Sequence, residues 1–317
     1  MDRYYRYSSY LKERYGSKTY KLPINLPLSC PNRDGLLGQT GCAFCGEKAA
    51  GFESLPSTFS VRKQLAKNKE YIGQKYRAEH YIAYFQNYTN TYLPLGKLVD
   101  YVEEALALDD LVEIAISTRP DCINEEYVSR LLSVIKARKP QVNLSFELGL
   151  QTVNYHTLLE INRGHTLAEF IDAVLTIKAY QAELGVHLIL NLPGDTLIDV
   201  QENAKILSAL KIDHVKLHAL YIREGTRLGE DYQRGELRMI SLADYIERVI
   251  TFLEYLAPTI AVQRLLGRAP EEGTLFANWD HSWWKIHQLI IREMEERATR
   301  QGKKYNYLGG KALQQFS

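Results

Sequence analysis

Cysteine, methionine and tryptophan are scarce, with 4, 3 and 3 copies in 317 residues. Four cysteines, three of them within residues 30–45, do not make the disulfide framework of a secreted scaffold. A reducing, cytoplasmic setting is expected. Long apolar runs are also missing. No uninterrupted stretch approaches the length of a spanning helix, so no membrane partner is expected. The N-terminus, MDRYYRYSSYLKERYG, lacks the apolar segment of a signal peptide. Neither sign of charge dominates: 39 Lys and Arg face 38 Asp and Glu, so no global field draws the chain onto nucleic acid. There is no internal repeat and no low-complexity tract. No G-x-G-x-x-G turn follows a strand-like segment, which argues against a doubly wound dinucleotide-binding sheet.

What is present is ordinary globular composition, 45% hydrophobic and 24% charged with a mean hydropathy of -0.29, in a chain long enough for a sizeable core. Tyrosine alone is over-used, 22 copies against 9 Phe. After the N-terminus, strand and helix patterns alternate. PINLPLSC (23–30) suits a short buried strand ending at Cys30, and 31–56 reads as a long loop rich in turn residues. Strand-like segments follow at 80–86, 111–118, 142–152, 185–194, 214–222 and 261–267. Helical periodicity appears at 58–76, 96–108, 124–139, before 183, at 196–210, 241–256 and 283–301. Near-continuous apolar strands between helices imply a parallel sheet covered on both sides. Strand ends at 30, 86, 118, 150, 191 and 220 run into polar or Gly-rich turns, the pattern of a (β/α) barrel with its chemistry at those ends.

The densest chemistry lies in CPNRDGLLGQTGCAFC, where Cys30 precedes the Cys42/Cys45 pair. A structural zinc would need a fourth ligand, and only Cys122 or a histidine is left to supply one. Three thiolates without a near fourth fit a [4Fe–4S] cluster with one open iron, shielded on one side by Phe44.

This segment resembles the cluster motif of the radical SAM superfamily, C-x3-C-x2-C with an aromatic before the last cysteine, although the first gap here is much longer. A subset that includes the catalytic subunit of Elongator and its bacterial relatives shares the long gap. Further segments are similar to that subset in the same order: STRPDC (117–122), FELGLQT (146–152), NRGHT (162–166), NLPGDT (191–196) and KLHALYIREGTRL (216–228). CPNRDG, YFQ-x-YTNTY, ELGLQT and NRGH together resemble one bacterial family of this kind. The resemblance spans roughly 20–270. It implies a partial (β/α)6 TIM-type barrel at 22–270, with a basic aromatic extension at 1–21 and a helical extension at 271–317.

The resemblance also implies function: a radical SAM enzyme whose [4Fe–4S] cluster, held by Cys30, Cys42 and Cys45, cleaves S-adenosylmethionine to a 5′-deoxyadenosyl radical. A flavodoxin or ferredoxin would supply the electron, and tRNA would be the substrate, through the C5 side chain of a wobble uridine. No acetyltransferase domain accompanies the barrel, so remodelling of a side chain already installed is expected. A small metabolite of the tetrapyrrole type is the alternative substrate, and a non-catalytic zinc- or cluster-containing tRNA-binding module is the alternative class.

Where the superfamily places Gly-Gly-Glu against the SAM amino group, this chain has Gln86, Asn87, Thr89 and Asn90, which can still offer acceptors to an ammonium. Arg119 suits the SAM carboxylate or a substrate phosphate bidentately, or an ion pair under the barrel. Glu147 and Gln151 share a strand face and suit the ribose hydroxyls, since a buried Glu must be paired or ligated. His187 and Asn191 share a face of the fifth strand and can line the same pocket. His187 and His218 are equally read as core histidines, and His214 as structural. Cys122 is a small buried hydrophobe, or a cysteine that hands over a hydrogen atom or holds a covalent intermediate. Asp34 and Asp121 read as turn-formers. Gln263 and Arg264 are placed to close the barrel mouth.

At the N-terminus, Tyr4, Tyr5, Tyr7, Tyr10, Tyr15 and Tyr20 interleave with Arg3, Arg6, Lys12, Arg14, Lys18 and Lys21. That mixture suits base stacking and phosphate contacts, but a helix at roughly 9–15 packing on the core uses the same residues. The tryptophans of LFANWDHSWW (275–284) more often plug a core than offer a base platform. The tail ATRQGKKYNYLGGK is again basic and aromatic, and the two ends would make one basic patch if they met in space.

Overall fold

The computed structural model describes residues 2–46 and 54–316. The elements run α1 (Tyr7–Tyr15), β1 (Thr19–Ile24), α2 (Val61–Tyr76), β2 (His80–Phe85), α3 (Leu95–Leu106), β3 (Leu111–Thr118), α4 (Glu125–Arg138), β4 (Asn143–Gln151), α5 (Tyr155–Glu160), α6 (Leu167–Ala179) and β5 (Glu183–Ile189). They continue with α7 (Leu197–Ala209), β6 (His214–His218), β7 (Ile222–Arg223), α8 (Arg227–Gln233), α9 (Leu242–Tyr255), β8 (Ala261–Arg264), β9 (Thr274–Phe276) and α10 (Trp283–Glu296). Seven strands form one parallel sheet whose order follows the chain, β1 to β6 and then β8. This is the expected partial barrel. The chain divides into two compact units. The first comprises Ser8–Leu150 and Leu158–His187; the second comprises Met1–Tyr7, Gln151–Thr157 and Leu188–Ser317.

In the first unit the strand-to-helix switches are local chemistry. Asn124 accepts the Tyr127 amide at the start of α4, with Glu125 and Glu126 in the first turn. Thr166 and Glu169 form a capping box on α6. The first strand departs from expectation. It lies at Thr19–Ile24 and ends six positions short of Cys30. β-branched and aromatic Thr19 and Tyr20 favour extension, Pro23 is tolerated because β1 is an edge strand, and Pro27 has no N–H with which to continue a ladder. The loop therefore begins earlier; the part of the expected loop at 47–53 lies outside the described residues.

The strands are also less uniformly apolar than their sequences suggest. On β4, Leu144, Phe146, Leu148 and Leu150 alternate with Ser145, Glu147 and Gly149, all but Gly149 buried. The apolar set lies on one face of the strand, and the other set makes a polar interior. Helix α1 serves that interior. Tyr10 donates to Glu183 (2.5 Å) and Arg14 pairs with the same carboxylate at 3.0 Å. Tyr15 donates to Glu113 (2.6 Å), which also accepts from Ser145. Burial and these carboxylates push the Tyr15 phenol well above its ordinary range. Half of the basic aromatic N-terminus is thus spent inside the protein.

In the second unit the two chain ends meet. The Gln301 amide donates to the Arg3 carbonyl (2.9 Å), and its side-chain oxygen accepts from the Tyr5 amide at 2.9 Å. The Tyr5 carbonyl accepts from Val262 on β8. β7 and β9 pair antiparallel, an addition invisible to periodicity because each has only two or three residues. His214 is buried, its Nδ1 accepting from Gln263 Nε2 at 2.8 Å, and stands edge-on to Tyr7, and His218 bonds Arg264 at 2.9 Å. Gln263 and Arg264 are thus partners of the β6 histidines.

Asp195, 6% exposed, is pushed up to about 6 by burial. A carboxyl raised above its unfolded value stabilises the fold below that value, and the contribution is lost as pH rises through about 6. Asp195→Asn should stabilise the protein more at pH 8 than at pH 5, by up to about 3 kcal/mol at the higher pH, read from thermal unfolding at both values. An equal shift at both values would remove the titration from the explanation.

Candidate cofactor site

The cysteine loop is fastened to the segment that follows α5. Ala43 donates its amide to the Ile161 carbonyl at 2.9 Å. Asn32, fully buried, donates to the Asn162 carbonyl at 2.6 Å, and Asn162 answers with a bond to Gly41 O at 2.8 Å. Gly41 has φ +76°, and a Cβ there would lie 2.9 Å from Arg33. Arg33 bonds the Gly46 carbonyl at 2.7 Å and also the Cys45 carbonyl. Arg163 completes the fastening: Nη2 reaches the Gly149 carbonyl on β4 (2.7 Å), and Nη1 points at Cys42 Sγ from 3.4 Å. Asn32 Nδ2 lies 3.7 Å from the same sulfur.

Arg119 stands on the other flank. Its Nε and Nη2 clasp Asp121 at 2.8 and 2.7 Å, while Nη1 is buried without a partner among the described residues. Gly164 (φ +78°) sits between this arginine and Asn32: a Cβ there would be 3.1 Å from Asn32 Oδ1 and 3.3 Å from Arg119 Nη2. That close approach accounts for the glycine of the NRGH segment. Asp121, read from sequence as a turn-former, is the counter-ion of Arg119, and the bidentate edge of that guanidinium is occupied. His165 Nε2 lies within donating distance of the Gly149 carbonyl at 3.1 Å, and burial with the nearby Arg163 and Arg119 lowers its pKa to about 2, so it stays neutral.

Among the described residues no three His, Cys, Asp or Glu side chains already stand close enough to hold a metal ion. The donor set nevertheless suits an iron–sulfur cluster better than zinc. Its three thiols come from one loop; an N–H···S contact is already formed, and the guanidiniums of Arg33, Arg119 and Arg163 interact with the sulfurs. Burial pushes Cys45 up, and Arg33 and Arg163 act against that rise. Phe44 is half-buried between its cysteines.

A second cluster sits along the strands. Glu147 on β4 is fully buried. It accepts from Tyr84 OH on β2 at 2.6 Å, bonds His187 Nε2 on β5 at 2.7 Å, and pairs with Lys21 on β1. Lys21 Nζ also lies 4.6 Å from the centre of the Tyr84 ring. The carboxylate expected to hold ribose hydroxyls is therefore engaged by three strands. Gln151, at the end of β4, has φ +76°. Asn191 lies beyond the end of β5, not on the strand face with His187; it accepts from the Leu220 amide at 2.6 Å, and its Nδ2 is buried without a partner among the described residues.

After β2, Asn90 is wholly buried and gives its amide hydrogens to the carbonyls of Phe85, Asn87 and Ser117 at 3.1, 3.0 and 2.8 Å. It shapes the turn that presents Gln86, Asn87 and Thr89, and only its oxygen is left unpaired among the described residues. Cys122 opens on a cavity of about 350 Å³ lined by Pro31, Leu37, Tyr92, Asp121 and Tyr127 among others. Burial and Asp121 push its thiol up to about 12, so it is a protonated thiol. Sequence reasoning missed Lys21, Tyr84, Asn32 and Arg163 as individual site residues. Only the NRGH and CPNRDG segments signalled the last two.

A parallel half-barrel with a three-cysteine loop beside its strands defines a cofactor-binding α/β enzyme architecture. The chain matches the Radical SAM superfamily over residues 30–207 and the Radical_SAM C-terminal domain over 212–296. It belongs to the radical SAM superfamily. YtqA of Bacillus subtilis is 33% identical over 306 residues, covering 96% of this chain and 94% of that protein. A tRNA uridine(34) acetyltransferase of Methanocaldococcus jannaschii is 29% identical over 169 residues, 50% of this chain and 29% of the relative. Elp3 of Methanocaldococcus infernus, solved with an N-terminal deletion, has the same fold, with TM-score 0.69 and 17% identity over 90% of this chain and 64% of that one. Membership implies a [4Fe–4S] cluster and S-adenosylmethionine as cofactors.

Because Glu147 is fully buried, Lys21→Met should cost about 3 kcal/mol in urea unfolding by stranding the carboxylate. Lys21→Met with Glu147→Gln should cost less than Lys21→Met alone. If the double variant were the less stable, Glu147 would not depend on its counter-charge.

Proposed function

We propose that this radical SAM enzyme modifies tRNA, remodelling the C5 side chain of a wobble uridine that already carries a substituent. The observation that carries the reading is sequence kinship with a tRNA uridine(34) acetyltransferase across half of this chain. The Elp3 fold is consistent with it. Cys30, Cys42 and Cys45 hold the cluster. Arg163 and Asn32 direct N–H groups at Cys42 and offset the negative charge of the thiolates. The unpaired Nη1 of Arg119 and the Gln86–Asn87–Thr89 turn offer a carboxylate partner and ammonium acceptors to S-adenosylmethionine. Glu147 is a positioning residue that ties Lys21, Tyr84 and His187 into one rigid interior.

The chemistry supplied when both cofactors are bound is reductive cleavage to a 5′-deoxyadenosyl radical, with an electron from a donor such as flavodoxin or ferredoxin. The protein's part is to orient the substrate C–H and keep water out. A cytoplasmic location fits that donor and the sparse cysteines. Among the described residues no helix is long and apolar enough to cross a membrane.

Mass spectrometry of wobble nucleosides from a deletion strain should show one C5-modified uridine lost and its precursor accumulated. An unchanged profile would move the substrate to a small metabolite of the tetrapyrrole type. Anaerobically purified protein should be brown, and Cys30→Ala, Cys42→Ala and Cys45→Ala should each abolish its iron, whereas Cys122→Ala should not. A colourless protein holding one zinc would overturn the cluster assignment. Since N–H···S bonds raise cluster potentials, Arg163→Met should move the midpoint, read by electron paramagnetic resonance during a redox titration, to a more negative value. An unmoved midpoint would confine Arg163 to holding the loop.

A further inference from the structure

Helix α10 buries Ile286, Ile290 and Met294, which turns Trp284 outward with 55% of its surface exposed. The tryptophan pair is therefore not a core plug. Trp284 stacks on His287 with the ring planes 7° apart, and Trp283 meets it edge-on at 5.6 Å. His287 is fixed in turn by the Tyr4 hydroxyl at 3.1 Å, and Arg6 lies 5.7 Å over the Tyr4 ring. The exposed indole is thus held flat by a chain of contacts that reaches into the N-terminal segment.

The same seam collects cations. Gln301 joins Arg3 and Tyr5, which brings the C-terminal segment with Arg300 and Lys303 to the N-terminal one. Lys285, Arg300 and Lys303 are exposed, and together with half-buried Arg3 they meet no carboxylate within ion-pair distance among the described residues. Arg6 pairs with Asp2, but both are exposed, so the pair is worth little. Of the acids of α10, Glu296 pairs with Arg292 and Glu293 with Arg297, which leaves Glu295 as the one acid of that helix outside an ion pair among the described residues.

We propose that this seam is a docking platform for unpaired nucleotides of RNA, with Trp284 stacking a base and Arg3, Lys285, Arg300 and Lys303 meeting phosphates. An immobilised aromatic face beside unpaired cations is what single-stranded nucleic acid requires: every base has a π-face, and the backbone brings its own charge. The platform rests on the tRNA reading above and deepens it by locating where an unpaired loop is gripped.

The test is fluorescence anisotropy on the full chain with two fluorescein-labelled probes, an RNA hairpin with an unpaired loop and a blunt RNA duplex. Trp284→Ala should weaken hairpin binding by about 5- to 100-fold and leave duplex binding unchanged. Trp284→Phe should restore most of the loss. Arg300→Glu with Lys303→Glu should weaken both probes and flatten the salt dependence. Trp284→Ala binding the hairpin like wild type would overturn the platform while leaving the tRNA reading intact, and equal weakening of both probes would reduce it to a general polyanion surface. Wild-type protein that binds neither probe would overturn the tRNA reading itself.

Discussion

A fully buried carboxylate on β4 constrains much of the first unit. Glu147 has no water to solvate it, and an isolated charge there would be prohibitively costly. It is tolerated because Lys21, Tyr84 and His187 each arrive from a different strand at hydrogen-bonding distance. Those strands can deliver the three groups only in parallel register with alternate residues turned to one face. The charge that resists burial thereby penalises a one-residue slip of any of them. Glu113 and Glu183 repeat the arrangement with Tyr15, Ser145, Tyr10 and Arg14 as partners.

The cysteine loop obeys the same constraint. Gathering thiolates is unfavourable unless cations and N–H donors stand beside them, and Arg33, Arg119, Arg163 and Asn32 do. Arg163 links the two networks physically, because one end of its guanidinium holds the Gly149 carbonyl of β4 and the other faces Cys42. A change in that residue is felt both by the loop and by the strand that carries Glu147. The fold thus couples the position of the cluster motif to the polar interior through one side chain.

The termini show how the same composition divides between inner and outer work. Tyr10, Arg14 and Tyr15 are consumed by carboxylates beneath the sheet. Arg3, Arg6 and Tyr4 face the seam with α10 and the C-terminal segment. An aromatic-basic stretch in sequence does not say which of its members reach solvent, because that depends on partners 98 to 283 positions away.

Much was legible in the order of residues alone. The alternation of apolar strands with capped helices requires a parallel sheet, since each segment must bury its own face by a local period. Three clustered cysteines without a near fourth restrict the ligand chemistry. Those features depend on neighbours within a few positions. Other features were decided only in three dimensions. β1 ends at Ile24 because prolines and edge position outweigh the apolar run to Cys30. Asp121 serves as a counter-ion, not merely a turn residue, because the Arg119 side chain folds back onto it. Glu147 is engaged by Tyr84, His187 and Lys21, which are separated from it by 63, 40 and 126 positions. Periodicity reports which face of a segment is apolar; which distant polar group answers a buried charge is settled by the packing of strands against one another.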